Sequence, residues 1–284
     1  MKLQLDCLPC FLRQVLEASR MVTKKTEIQE KIIEEAIKIL RDFKNYRTPP
    51  ELAREIHGLV KIYTGDPDPY KEIKKQSIEI AKKFYKPLNE FLNQQEDKLY
   101  WGLKIAAIGN VLDYGVYSKI NLERNLEKEL KKEFALCDLE NFKEKLKNAK
   151  IILILGDNAG ETVFDKILIE EFKKYKIFYA VRGIPIINDA TLEEAYESGL
   201  HECAEIISTG CTLPGIDFKE CSKEFSEIFN QADIIISKGQ GNYESLSDIK
   251  KDNLFFLLKV KCPVIASHIG IDVNNYVFKK QNIT

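Results

Sequence analysis

The chain has 284 residues, of which 44% are hydrophobic, so it is long enough for two domains or one large one with a sizeable core. Its 43 basic and 44 acidic residues nearly cancel, which gives no electrostatic reason to expect nucleic acid or an anionic membrane as a partner. This composition excludes a disordered or fibrous protein.

The sequence shows neither a membrane span nor a signal peptide. No apolar run approaches the roughly 20 residues that a spanning helix needs. The first residues, MKLQLDCLPC, are interrupted by Asp6 and Pro9 before the apolar core of a signal could form. We therefore expect a soluble cytoplasmic protein, whose seven scattered cysteines do not resemble a secreted disulfide framework.

Residues 1–97 are expected to form a helical domain. Leu5, Leu8 and Leu12 recur at helical spacing in the first segment. The segment EIQEKIIEEAIKILRDF repeats this apolar stripe, and the next one opens with Thr48 and Glu51 at the spacing of a capping box. A turn-rich stretch, TGDPDP, then leads into one more helical pattern.

Residues 98–284 are expected to form an α/β domain that binds metal and phosphate. After helix-like sequence to about Asn148, short apolar runs alternate with helical patterns. This alternation predicts a mostly parallel sheet, and continuously apolar strands indicate helices on both faces, in three α/β/α layers. The predicted strands span residues 151–155, 177–181, 205–208, 234–237 and 254–260, with a candidate last strand at 264–266.

Polar segments that contain glycine follow four of these strands directly. They are GDNAGE, VRGIPIINDAT, STGCTLPG and SKGQGNYE. Ligands of open α/β sheets bind outside the carboxyl ends of the strands. Four such segments at the same edge therefore predict an active site there.

Asp157 and Asn158 follow the first predicted strand, and Asp189 follows the second. Helix capping is the alternative for the first two, because Asp and Asn are favoured at that position. For Asp189, Thr191 and Glu194 already have capping-box spacing, which leaves the aspartate for another role. Two carboxylates and an amide carbonyl form a hard oxygen set suited to Mg²⁺, Mn²⁺ or a related divalent cation.

Lys238 and the glycines after it are the expected phosphate site. Lys238 follows an apolar strand, so its ammonium is expected to project into the cleft, where Gly239 and Gly241 let backbone N–H groups approach an anion. A glycine-rich turn with a solvated lysine is an equal alternative for this segment alone. The segment is not a Walker loop, and the absence of GxGxxG after the first strand argues against a dinucleotide-binding site. The other expected substrate-binding residues, all in the strand-end segments, are Arg182, Glu161 and Asn242.

Asn110 and Asp113 lie three residues apart on an apolar helical segment, IAAIGNVLDYG. They share one face of that helix. A buried helix rarely carries an amide and a carboxylate without partners, so we expect both to face the cleft. Bracing of a neighbouring helix is the alternative.

Together these motifs resemble a known family, the damage-control phosphatases formerly catalogued as domain of unknown function 89. LGDNAGE, VRGIPIINDAT and SKGQGNYESL are similar to its signatures, while DCLPC and DPYKEIKKQS resemble the branch with an N-terminal CxxC. The resemblance runs from about Asp6 to Lys259. It implies a helical domain beside an α/β domain and divalent-metal-dependent hydrolysis of small phosphorylated metabolites, such as sugar phosphates or damaged phosphorylated cofactors.

The resemblance also implies roles for particular residues. It implies metal ligation by Asp157, Asn158 and Asp189, with Mn²⁺, Co²⁺, Ni²⁺ or Mg²⁺ as the cation. Lys238 would contact the phosphate, and Asn110 and Asp113 would lie at the cleft. We count Asp157, Lys238, Asn110 and Asp113 as the expected catalytic residues; the nucleophile is either a water molecule held by the cation or Asp157 itself.

Cys7 and Cys10 form a CxxC at a predicted helix start. A thiol there can take part in redox or metal chemistry, but buried or disulfide-paired structural cysteines are an alternative of at least equal weight. Two rival functions remain. The first is a nucleotide-cofactor enzyme such as a methyltransferase, and the second is a non-enzymatic metal- or redox-sensing module built on this CxxC.

Overall fold

The computed structural model describes residues 1–109 and 119–282, and the structural statements that follow refer to these residues. Helices dominate the N-terminal part and then alternate with strands. The helices are α1 Cys7–Val22, α2 Thr26–Arg41, α3 Pro49–Thr64, α4 Lys71–Asn93, α5 Lys98–Ile108, α6 Lys119–Leu130, α7 Leu139–Leu146, α8 Glu161–Glu170, α9 Leu192–Glu197, α10 Lys223–Gln231, α11 Gly239–Leu246 and α12 Pro263–Ile269.

Helices α1 to α3 pack around a core of their own. Val15 of α1, Ile32 of α2 and Val60 of α3 are completely buried in it. Two prolines, Pro49 and Pro50, occupy the first turn of α3, where a missing backbone N–H costs nothing. The apolar stripes of the sequence thus become the contact faces of a three-helix unit.

Helix α4 packs against the α/β part of the chain. Its Ile78, Ala81 and Leu88 belong to the same core as α5 and α8. The core of α1 to α3 is separate from this one. The packing therefore groups α4 with the sheet layers, although residues 71–93 precede the predicted domain boundary at residue 97, which stays a prediction.

The described strands form one sheet in the order β1-β7-β6-β5-β2-β3-β4. All neighbouring pairs are parallel except β6 and β7, which are antiparallel. The strands are β1 Phe134–Cys137, β2 Ile151–Leu155, β3 Lys176–Val181, β4 Glu205–Ser208, β5 Ile234–Lys238, β6 Leu254–Lys259 and β7 Tyr276–Lys280.

Helices cover both faces of the sheet, as the apolar strands predict. Alternate residues of β2 point to opposite sides, so Ile152 and Ile154 pack with α4, α5 and α8. Leu153 and Leu155 pack with α10, α11 and α12. The α/β class, the mostly parallel sheet and its three layers are confirmed.

The edges of the sheet differ from the predicted elements. Residues 264–266 lie in helix α12, so the candidate last strand was wrong. Pro263 at the first helical position and Gly270 in the left-handed conformation after the last turn delimit this helix. The strands β1 and β7 were missed because both carry little apolar signal: β1 is a four-residue edge strand of alternating burial, and β7, between β1 and β6, has three apolar residues followed by two lysines.

Within the described residues, none of the helices combines the length and apolar character that crossing a bilayer requires.

Candidate functional site

The site lies where the order of the strands reverses. From β2 the chain continues to β3 and β4 on one side, whereas β5 pairs with the other side of β2. Leu155 at the end of β2 is aligned with Ser237 near the end of β5. The segments that follow these two strands therefore meet at one edge, the usual position for a ligand in this architecture.

Two strand-end turns are joined by backbone hydrogen bonds. The Ala190 N–H donates to the Asp157 carbonyl at 2.8 Å, and the Ala159 N–H donates to the Asn188 carbonyl at 2.9 Å. These bonds pair Asn158 with Asp189 as an isolated antiparallel bridge. The structure thus brings the three expected metal ligands together, although their role stays a prediction.

The side chain of Asn158 connects Asp157 to the next helix. Its Nδ2 donates to Glu161 Oε1 at 2.9 Å and lies 3.4 Å from Asp157 Oδ2. Glu161 is in the first turn of α8, so the amide group of Asn158 is oriented by a carboxylate that is itself buried. This orientation turns the nitrogen towards Glu161, and the carbonyl oxygen is the atom expected to bind a cation.

Arg182 contacts both aspartates of the expected metal site. Its Nε donates to Asp189 Oδ2 at 2.6 Å, and its Nη2 lies 3.8 Å from Asp157 Oδ1. Nη1 donates to Asn242 Oδ1 at 2.8 Å and to the Gly215 carbonyl at 3.1 Å. Nη2 is buried and has no hydrogen-bond partner among the described residues. The guanidinium is therefore fixed by its other nitrogens, with one donor left for an anionic ligand.

Negative charge is in excess at the two aspartates. Burial, together with the nearby carboxylates of Glu161 and Asp189, raises the pKa of Asp157 well above its usual range, despite Arg182. Burial also raises the pKa of Asp189, although Arg182 opposes the shift. One guanidinium thus faces two buried carboxylates. A bound cation would offset this excess of negative charge.

The donor set fits a hard divalent cation in composition. It holds two carboxylates and one amide, and such oxygen ligands are completed by water or substrate oxygens in Mg²⁺ and Mn²⁺ sites. Within residues 1–109 and 119–282, no group of three or more His, Cys, Asp or Glu side chains has a metal-holding arrangement. The expected set contains only two residues of these types, Asp157 and Asp189, because its third ligand is the amide of Asn158.

The side chain of Lys238 does not lie where the sequence predicts. Its side chain is 1% exposed, and its Nζ donates to Glu161 Oε2 at 2.7 Å and to Asp165 Oδ1 at 2.6 Å. Although burial alone would favour the neutral amine, these two carboxylates raise the pKa of Lys238. The expectation that the ammonium projects into the cleft was therefore wrong, because Lys238 is a buried counter-ion of two carboxylates, whereas its direct contact with phosphate stays a prediction.

Asp165 and Tyr179 belong to this cluster but were missed from the sequence. The Tyr179 hydroxyl donates to Asp165 Oδ2 at 2.7 Å. Burial raises the pKa of Asp165 to about 6, while Lys238 opposes the shift. The spacing of Glu161 and Asp165, four residues apart on α8, was the available signal, because it puts both carboxylates on one helix face.

The start of α11 is shaped by two glycines. Gly239 has a φ of 77°, and a Cβ there would overlap the Asp157 carboxylate. A Cβ on Gly241 would overlap the Pro214 carbonyl. The positive end of the α11 dipole therefore lies beside Asp157, where an anion is favoured.

The side chain of Asn242 uses its hydrogen-bonding groups within the protein. Its Oδ1 accepts from Arg182, and its Nδ2 donates to the backbone carbonyls of Gly156 and Lys238. Asn242 therefore stabilises the site.

A cleft of about 730 Å³ opens above these residues. The sheet edge and the N-terminal three-helix unit both contribute to its wall. Arg182, Glu161, Lys238, Gly239 and Asn242 lie outside this wall in the described part of the chain. The residues that line the cleft include Asp157, Asn158, Asp189, Gly241, Cys7 and Cys10.

The CxxC thus lines the same cleft as the expected metal ligands. Cys7 and Cys10 are free thiols, and burial raises the pKa of Cys7. Cys262 and Glu244 line the cleft beside them. A raised pKa disfavours the thiolate that redox or metal chemistry needs, so the geometry gives the CxxC a position over the site but no assigned reaction.

The capping box predicted from Thr191 and Glu194 is present at the start of α9, where the Thr191 N–H donates to Glu194 Oε2 at 2.9 Å. Asp189 is therefore not needed as a helix cap, and it accepts a hydrogen bond from Arg182. Asn110 and Asp113 lie outside the described residues.

Comparisons with known proteins agree on one family. Residues 3–277 match the family profile described as the damage-control phosphatase ARMT1-like domain. A damage-control phosphatase of Pyrococcus horikoshii is 37% identical, over 95% of each chain. One of Archaeoglobus fulgidus is 33% identical, over 98% of this chain and 99% of its own. The crystal structure of a DUF89 family protein from Pyrococcus horikoshii has 35% identity and a TM-score of 0.90, covering 99% of this chain and 100% of that one.

Proposed function

The chain belongs to the damage-control phosphatase ARMT1-like family, and we propose that it hydrolyses small phosphorylated metabolites with the help of a divalent cation. One observation carries the metal-dependent part of this proposal. Two strand-end turns, joined by backbone bonds, bring Asp157, Asn158 and Asp189 together in a cleft where negative charge is in excess.

The cation would be held by the two aspartates and by the carbonyl oxygen of Asn158. When bound, a divalent cation polarises the phosphoryl group and offsets the charge that develops on its oxygens. Arg182 keeps Asp189 in position through the 2.6 Å bond from Nε. Glu161 does the same for Asn158 through the 2.9 Å bond that it accepts from Nδ2.

The phosphoryl group would lie between the aspartates and the start of α11. Arg182 Nη2 is a buried donor without a hydrogen-bond partner among the described residues, and it lies 3.8 Å from Asp157 Oδ1. A phosphate oxygen would give this donor an acceptor, as guanidinium groups prefer. The backbone N–H groups at the start of α11 would add donors to the same anion.

Lys238 would act indirectly on this site. By pairing with Glu161 and Asp165 it holds α8 against the end of β5 and limits the negative charge below the cation. The cleft of about 730 Å³ has room for a metabolite such as a sugar phosphate or a damaged phosphorylated cofactor. A nucleotide bound without metal would instead place its phosphates against uncompensated carboxylates.

Metal removal tests this proposal directly. Protein stripped with a chelator and assayed on para-nitrophenyl phosphate is expected to be inactive, because the aspartates then repel the substrate phosphate. Addition of Mn²⁺, Co²⁺, Ni²⁺ or Mg²⁺ in separate assays should restore turnover with at least one ion. Full activity in the stripped protein would contradict a role for metal. A panel of sugar phosphates and phosphorylated cofactors, assayed with the best ion, then ranks the natural substrates.

A further inference from the structure

The loop between β4 and α10 holds a pair of cysteines that the phosphatase site does not use. The Sγ atoms of Cys211 and Cys221 lie 3.2 Å apart, and both residues are free thiols. A disulfide bond is about 2.05 Å long, so the sulfurs need to approach by about 1.2 Å to be joined. Small side-chain rotations can supply that movement.

Backbone hydrogen bonds hold the two cysteines opposite each other. The Ser222 N–H donates to the Thr209 carbonyl at 2.8 Å, which closes the base of the loop. The Gly183 N–H donates to the Cys211 carbonyl at 3.0 Å, and the Cys221 N–H donates to the Asp217 carbonyl at 3.1 Å. The approach of the two sulfurs is therefore built into the fold of the loop.

We propose that Cys211 and Cys221 form a reversible disulfide that fixes this loop beneath Arg182. The oxidant is a low-molecular-weight disulfide. One sulfur of the pair attacks the reagent as the thiolate and expels one thiol. The other sulfur then attacks the first and expels the second thiol. Two protein S–H bonds and the reagent S–S bond break, while one protein S–S bond and two reagent S–H bonds form.

The chemistry of the pair supports the first step. The hydrogen bond from the Cys221 thiol lowers the pKa of Cys211 to about 7, although burial opposes this shift. The same interaction raises the pKa of Cys221, since the pair shares a proton. The pair therefore holds one thiolate near neutral pH, which the first attack requires.

The loop connects this pair to the expected metal site. The Gly215 carbonyl, within the loop, accepts the 3.1 Å bond from Arg182 Nη1. The Ile216 N–H donates to Ser245 Oγ of α11 at 3.1 Å. Arg47, next to the three-helix unit, makes an ion pair with Asp217 at 2.5 Å. Closing the loop covalently would hold these contacts in place without touching the substrate.

Peptide mapping of the full chain tests the bond itself. Protein equilibrated with oxidised glutathione is digested after alkylation, and a second sample is reduced first. We expect a Cys211–Cys221 cross-linked peptide in the first sample, and both cysteines alkylated in the second. Full alkylation of both residues in the oxidised sample would overturn the proposal, as would pairing of either with another cysteine, such as Cys7 or Cys10.

Thermal unfolding tests the effect on the loop. Oxidised protein should unfold about 5 °C above reduced protein, the shift expected for closing a loop of this length in a chain of this size. Cys221→Ser should abolish the difference between oxidised and reduced samples. Cys137→Ser, which changes an exposed cysteine in β1, should keep it. An equal melting temperature for oxidised and reduced wild-type protein would contradict the stapling role. The result does not depend on the phosphatase reaction.

Discussion

Replacing Asp157 with asparagine should reduce metal-dependent hydrolysis by about a thousandfold or more, since a cation ligand is worth several kcal/mol to the transition state. Asparagine has the same shape, and it removes one buried negative charge from a site where negative charge is in excess. The metal-free Asp157→Asn protein should therefore unfold at a temperature no lower than that of metal-free wild type. Turnover of para-nitrophenyl phosphate and thermal unfolding, each with and without Mn²⁺, measure both effects.

The matched control for this variant is Asp42→Asn. Asp42 follows helix α2 and its side chain is 60% exposed, so the same chemical change there should alter neither activity nor metal response. Wild type and the control should gain thermal stability from Mn²⁺, and Asp157→Asn should not. Near-normal turnover in Asp157→Asn would refute the assigned metal site.

Replacing Lys238 with methionine should destabilise the protein by about 3–5 kcal/mol, the usual result of removing one partner of a buried ion pair. Methionine keeps much of the volume but leaves Glu161 and Asp165 without the ammonium that contacts both. Activity should fall as well, because Glu161 also orients Asn158. Urea denaturation of wild type and variant measures the loss in the free energy of unfolding.

Two further variants separate charge from packing at Lys238. Lys223→Met changes a lysine that is 91% exposed, and it should leave stability unchanged. The double variant Lys238→Met/Asp165→Asn removes one of the uncompensated carboxylates, so it should recover part of the lost stability. Unchanged stability in Lys238→Met would show that the buried pairs contribute little. Failure of the double variant to recover any stability would mean that packing, and not charge, causes the loss.

Position at the end of a buried strand was sufficient to predict that Asp157, Asn158 and Asp189 meet. Asp157 and Asp189 are 32 positions apart in the sequence numbering, yet parallel pairing of β2 and β3 puts their turns side by side. The long apolar runs that mark these strands identify their carboxyl ends almost to the residue. Strand order, and with it the reversal beside β2, could not be read from those runs, because periodicity does not specify neighbours.

The partners of buried charged side chains could not be predicted from the sequence. Lys238 follows an apolar strand in the same way whether its ammonium projects into a cleft or turns to α8, and only packing decides between them. The decisive feature is a pair of carboxylates on α8, Glu161 and Asp165, whose face towards β5 depends on tertiary contacts. The misassigned segment 264–266 has a similar cause, since three apolar residues fit a strand or a helix equally well.

The position of the CxxC over the cleft was likewise unpredictable. Cys7 and Cys10 begin α1, more than a hundred positions before Asp157 in the numbering, and no local pattern links them to it. Their shared cleft results from how the three-helix unit packs beside the strand ends. A metal- or redox-sensing function assigned from the CxxC alone therefore does not account for the position of these cysteines in the same cleft as the aspartates.

Anomalous diffraction from a crystal soaked in Mn²⁺ is the most direct test of the metal site. The arrangement of the two turns predicts a single strong peak within about 2.2 Å of carboxylate oxygens from both Asp157 and Asp189, with the Asn158 carbonyl as a third ligand. The peak should be absent in Asp157→Asn crystals. A manganese ion bound elsewhere in the cleft, or bound by only one of the two aspartates, would contradict the proposed site.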